Sequence, residues 1–202
     1  MNRSRLRAVY ALLALAIGLT LALPASVVAA GPSADRLIRD LAAAPDARTA
    51  FEALSPTQQQ QVLAELQVAK LVTMASAPSP VSALGGGFVP LAGGCWTVTW
   101  GRSGYNNFGY ELFSLKQRID WCGNGSTLTS VQRTHWVEVY MFGWSGSIIQ
   151  DPTWGGVGQW SFRAFTQAQF VLNIVYPWQY VYPWLDLTVT AAGGLSGSGG
   201  GT

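Results

Sequence analysis

The side chains best placed to do chemistry in this 202-residue chain are aromatic. In the stretch YPWQYVYPW, an extended backbone sends alternate side chains to one face, so Tyr176, Trp178, Tyr180, Tyr182 and Trp184 would project together. A polyproline helix, with three residues per turn, also sets Tyr over Tyr and Trp over Trp across the YPW repeat. Pro177 and Pro183 have no N–H to give a ladder, so the stretch is an edge, a loop or a polyproline-like excursion and not a central strand. An aligned row of Tyr and Trp can stack on sugar rings, on a proline-rich peptide or at a membrane interface. The alternative is a flap over one open end of the domain, with rings on the core and hydroxyls in water. Solvent exposure of the rings decides between the two.

Acid–base chemistry has one candidate pair. Asn124-Gly125, between two strand-like runs, predicts a type I′ hairpin turn, because Asn-Gly supplies the positive φ angles such a turn needs. Pairing outward from that turn sets Gly123 against Ser126, Trp121 against Leu128, Phe113 against Trp136, and Glu111 against Glu138. Facing carboxylates repel, and such a pair is how one carboxyl acquires a raised pKa and becomes a general acid. With Trp136 and Tyr140 on the same face, the arrangement resembles a sugar-cleaving cleft. A single bulge would shift the register and send the two groups to other neighbours.

Other chemistries find little support. His135 is the only histidine; it has no serine partner nearby in sequence, and a hydrogen-bonded structural role is expected. Around Ser145, GWSGS has Ser147 where a nucleophile elbow requires glycine. Cys95 and Cys122 are the only cysteines and are expected to form one disulfide in an oxidising compartment. A thiolate metal site would need further ligands, so neither a metal nor another cofactor is expected. NGS at Asn124 fits the glycosylation pattern, but the turn already accounts for that asparagine and no glycan is assigned.

The elements that must position these residues are uneven along the chain. Arg3, Arg5 and Arg7, an apolar run to Leu23 and small residues before Gly31 lay out a secretory signal over residues 1–30. Without it the chain keeps nine basic against ten acidic side chains, a balance of −1, so the formal +2 of the whole chain belongs to the leader. No cluster of Lys and Arg suits phosphates, and a nucleic-acid partner is not expected. Residues 31–75 have a helical period that fits three short helices, the last starting at Ser55-Pro56 with Gln58 in capping-box position. Residues 76–94 are a Pro-, Gly- and Ser-rich linker, and residues 192–202 a Gly/Ser tail expected to be disordered.

Residues 95–191 carry all nine Trp, six of the seven Tyr and six of the eight Phe. Alternation in WTVTW from Trp96, along Trp160 to Ile174, and again from Trp184 predicts half-buried strands. The fold expected is mainly β, an antiparallel sandwich or flattened barrel of about six to seven strands, preceded by a short helical segment. The whole layout resembles that of small secreted proteins of high-GC Gram-positive bacteria, without a motif that names a family. The leading functional expectation is a secreted, non-enzymatic module binding a glycan or cell-wall polymer through its aromatic side chains. The alternatives are glycoside hydrolysis at Glu111 and Glu138 and a membrane-active toxin released from a helical pro-region.

Overall fold

Among the described residues three helices lead into a β-structure whose strands follow the alternation of their sequences. The computed structural model describes residues 32–81 and 93–202; the expected leader and most of the Pro/Gly linker, residues 82–92, lie outside the described residues. The helices are α1 (Ala34–Ala43), α2 (Ala47–Glu52) and α3 (Pro56–Leu66). Asp46 caps α2 by accepting from the N–H groups of Arg48 and Thr49, and Ser55 with Gln58 forms the capping box of α3. Helix α3 stops at Gln67, where the backbone turns extended, and KLVTMA, expected to continue the helical segment, is the strand β1 (Lys70–Ala75). Its alternating burial and its β-branched residues suit a sheet better than a helix.

Among the described residues eleven strands make two antiparallel sheets that do not close into a barrel, the mainly β architecture expected. The first sheet orders β1, β3 (Gly94–Tyr105), β4 (Glu111–Gly123) and β5 (Leu128–Val139), with β2 (Ser79–Pro80) against β3. The second orders β11 (Leu195–Gly200), β10 (Trp184–Thr190), β8 (Ser161–Asn173) and β6 (Trp144–Gln150), with β7 (Thr153–Gly155) and β9 (Pro177–Val181) also on β8. The strand count exceeds six or seven because short pieces such as β2 and β7 lack enough residues to show alternation.

The glycine-rich end is not a loose tail: β11 pairs with β10 from Trp184↔Gly200 to Val189↔Leu195. Its glycines make room for tryptophan rings. A Cβ on Gly200 would lie 2.6 Å from the Trp184 indole, and one on Gly197 would lie 2.9 Å from the Trp100 indole.

The core divides into two clusters. One end of the sandwich packs Val98, Ile119, Trp121, Leu128, Phe162, Leu187 and Val189. At the other end Leu112, Phe113, Leu115, Trp144, Phe170 and Leu185 meet the helices through Leu37, Ile38, Leu41, Phe51, Val62, Leu63 and Leu66. The helical segment is therefore a lid that completes this half of the core. Side chains of the sheets also satisfy backbone groups at the end of α3: Trp144 Nε1 donates to the Leu66 carbonyl at 2.8 Å and Asn106 Nδ2 to the Glu65 carbonyl at 2.7 Å. Within the sandwich the buried Gln117 and Thr166 bond to each other, and Arg133 donates to both. Gln117 Nε2 also reaches the Ala164 carbonyl at 3.2 Å, so polar bonds cross from one sheet to the other.

The disulfide joins Cys95 to Cys122, which sit directly opposite each other on β3 and β4. Among the described residues no helix is long and apolar enough to cross a membrane.

Candidate functional site

The aromatic stretch supplies β9, an edge piece of the second sheet, and ends at Trp184, which opens β10 between β8 and β11; neither proline sits in a central strand. On β8 the even residues from Phe162 to Leu172 are buried and the odd ones face outward. Tyr180 pairs with the outward Val171, and Trp184 pairs with the outward Gln167 and stacks on Phe165 at 6.0 Å. Tyr182 lies between them, its hydroxyl accepting from Gln169 Nε2 at 3.0 Å. Tyr180, Tyr182 and Trp184 thus share the outer face, and the planes of the two tyrosines lie within 7° of each other at 6.5 Å. The chain breaks from β9 to β10 at Tyr182-Pro183 without leaving the sheet, because the Pro183 carbonyl accepts from Ala168 N at 3.0 Å.

Beyond Gln179 a register shift leaves Trp178 without a partner on β8, a bulge of the kind that re-aims a side chain. Trp178 stacks on Tyr176 at 4.6 Å. Tyr176, Trp178 and Tyr180 are 52%, 36% and 48% exposed, whereas Tyr182 and Trp184 are half-buried. Tyr176, Trp178 and Tyr180 are therefore surface rings, and Tyr182 and Trp184 are partly covered.

Around the row the outer face adds residues that strand alternation exposes on β8 and its neighbours. Gln167 and Gln169 flank the rings, and Ser145 and Ser147 on β6 continue the polar strip. At the far end Arg163 and Asp186 form a bidentate pair, Nε to Oδ1 at 2.9 Å and Nη2 to Oδ2 at 2.6 Å. The Trp154 ring lies 4.9 Å from that guanidinium, a cation–π contact. The wet odd positions of β8 were the available signal for these residues. Only the pairing of β7, β9 and β10 with β8 joins them to the aromatic row.

The two glutamates do not face each other. Asn124 lacks a positive φ, and its Oδ1 instead accepts from the N–H groups of Ser126 and Thr127, so the turn spans four residues and is not type I′. A bulge at Cys122/Gly123 follows, and the register becomes Trp121↔Val131, Phe113↔Val139 and Ser114↔Glu138. Glu111 pairs with Tyr105 and lies beyond the last β4–β5 pair.

Glu138 is a hub of a different kind. It accepts from Lys116 Nζ at 2.5 Å, Trp136 Nε1 at 2.9 Å, Ser114 Oγ at 3.3 Å and the Tyr140 hydroxyl. The Lys116 bond, then those of Tyr140 and Trp136, holds its pKa down at about 2. A carboxylate so held accepts hydrogen bonds at neutral pH and has no proton to donate, the reverse of what a general acid needs.

His135 points between the sheets from β5, the edge of the first sheet, with Nε2 3.6 Å from Asp151 Oδ2. Burial, then the Arg133 charge, lowers its pKa, while Asp151 opposes them. Arg133 donates to the Asp151 carbonyl at 2.8 Å, and its inward charge is of the kind that guards a sheet edge against pairing with another strand. Among the described residues no group of three or more His, Cys, Asp or Glu is placed to hold a metal ion.

Compared with known protein families, curated proteins and solved structures, the chain matches none.

Proposed function

We propose that this protein is a secreted, non-enzymatic binding module that grips a carbohydrate or cell-wall polymer on the outer face of its second sheet. The observation that carries the reading is the exposure of Tyr176, Trp178 and Tyr180 next to Tyr182 and Trp184 on a sheet that holds them in place. Aromatic faces stack on the apolar faces of sugar rings, and the neighbouring Gln and Ser side chains offer donors and acceptors to hydroxyls. Rings held by sheet pairing and mutual stacking lose little conformational entropy on binding. Export is supported by the leader-like residues 1–30 and by the Cys95–Cys122 disulfide, which suits an oxidising compartment.

The test is depletion of the purified chain by insoluble polysaccharides and by isolated cell walls, read alongside intrinsic tryptophan fluorescence. Replacing both Trp178 and Tyr180 with Ala is expected to weaken retention by about 30-fold or more, the equivalent of about 2 kcal/mol for lost aromatic anchors. Unchanged retention, with the far-ultraviolet spectrum also unchanged, would remove the aromatic face as the site.

A further inference from the structure

Resting on the aromatic-face reading, we infer that the ligand is an uncharged polysaccharide lying along β9 and β10, and not an acidic wall polymer or an anionic lipid surface. Charge complementarity decides this. Apart from Arg163 and Asp186, the side chains that β6, β8, β10 and β11 turn to the outer face are neutral. Those two charges neutralise each other in a bidentate pair, and the Trp154 ring lies against the guanidinium. The face therefore presents no uncompensated cation to a carboxylate or phosphate and no uncompensated anion to an amine. An anionic polymer would surrender part of its hydration here without gaining an ion pair.

What the face does offer matches hydroxyl groups. Gln167, Gln169, Ser145 and Ser147 each contain both donor and acceptor atoms, the pairing that a sugar hydroxyl can meet in either sense. Gln169 already donates to the Tyr182 hydroxyl, which orients that phenol and leaves its own proton to give. Tyr180, Tyr182 and Trp184 succeed one another along the strand direction on the outer face, and beyond the bulge the stacked pair of Tyr176 and Trp178 extends the row. Same-face positions on a strand recur roughly every 6.6 Å, so the row is longer than one sugar and engages several units of a chain in sequence.

The experiment is co-sedimentation of the full chain with amorphous cellulose and chitin as uncharged probes and affinity electrophoresis in polygalacturonate as the anionic one. Each is run at about 0.05 M and about 1 M NaCl, which changes the screening length several-fold. Retention by an uncharged probe, changing by less than about two-fold across that range, is the expected result. Binding confined to polygalacturonate and weakened ten-fold or more by salt would overturn the inference. If that binding is itself weakened by Trp178→Ala with Tyr180→Ala, the aromatic-face reading survives alone. Retention by none of the three polymers at either salt concentration sinks both.

Discussion

Gln179, in the middle of the aromatic stretch, is bonded to the backbone of Val68: its Oε1 accepts from the Val68 N–H at 2.9 Å and its Nε2 donates to the Val68 carbonyl at 3.5 Å. The bond ties β9 to the segment that follows α3, so the lid over the core and the strand that displays the rings are fastened to each other.

The first prediction concerns that tie. Gln179→Ala leaves the Val68 N–H without a partner and is expected to cost about 1–3 kcal/mol, the penalty for orphaning a partly buried polar group. Denaturant unfolding measures the loss. Amide exchange at Val68 and along residues 177–181 is expected to rise more than exchange in β3 and β4, and equal acceleration everywhere would show that the bond has no local role.

A second prediction separates a lid from a removable pro-region. Helices α1 to α3 bury Leu37, Ile38, Leu41, Phe51, Val62, Leu63 and Leu66 against sheet residues including Phe113, Trp144 and Phe170. Each such side chain contributes about 1.5–3 kcal/mol on full burial. A chain beginning at residue 69 is expected to lose cooperative unfolding and to bind a dye specific for exposed apolar surface. A truncated chain that unfolds at the same denaturant midpoint as the full chain would show that the helices are dispensable.

Local signals in the sequence read correctly where the physics was local. The capping box of Ser55 and Gln58, the alternation of WTVTW and β8, and the exclusion of Pro177 and Pro183 from a central strand all rest on neighbours within a few residues, whereas Trp184 opens the central β10. The hairpin failed because Asn124 could act through its backbone or through its side chain. The side chain won, the loop grew to four residues and a bulge followed. The shift moved the pairing by three residues and put Ser114 across from Glu138. The glycine-rich end has the composition of a linker; what orders it is pairing with β10 and the rings of Trp184 and of Trp100, the latter contributed by the other sheet. The polar strip beside the aromatic row was likewise hidden, since only sheet order brings β6 and β8 beside β9.

The third prediction uses the fact that the chain has a single histidine. Burial and the Arg133 charge push the His135 imidazole below its ordinary 6.5, and its buried Nδ1 has no hydrogen-bond partner among the described residues. The unfolded chain therefore binds a proton near 6.5 that the folded chain refuses until lower pH. Stability is full above 6.5 and falls as pH drops through the interval between 6.5 and the lowered folded value. A single imidazole resonance followed by NMR is expected to titrate below 6.5, and His135→Gln is expected to flatten the stability–pH curve over that interval. A midpoint at or above 6.5 would mean that the Asp151 carboxylate outweighs burial.

Glu138 supplies the opposite test, on the acid side. Its four hydrogen-bond donors favour the carboxylate and hold its pKa at about 2, against an ordinary 4.5. The stabilisation is fully present above 4.5, declines as pH falls from there to about 2 and is absent below that. The side chain is about a third exposed, so solvent screens the pair with Lys116, and Glu138→Gln is expected to cost about 1 kcal/mol at neutral pH. Unfolding measured for both proteins from neutral pH downward should show the difference shrinking through this acid range. Because Glu138 lies on the first sheet and the aromatic row on the second, the same variant is expected to retain polysaccharide as the unaltered chain does. A glycan-cleaving activity lost in Glu138→Gln would reverse this assignment and return the residue to catalysis.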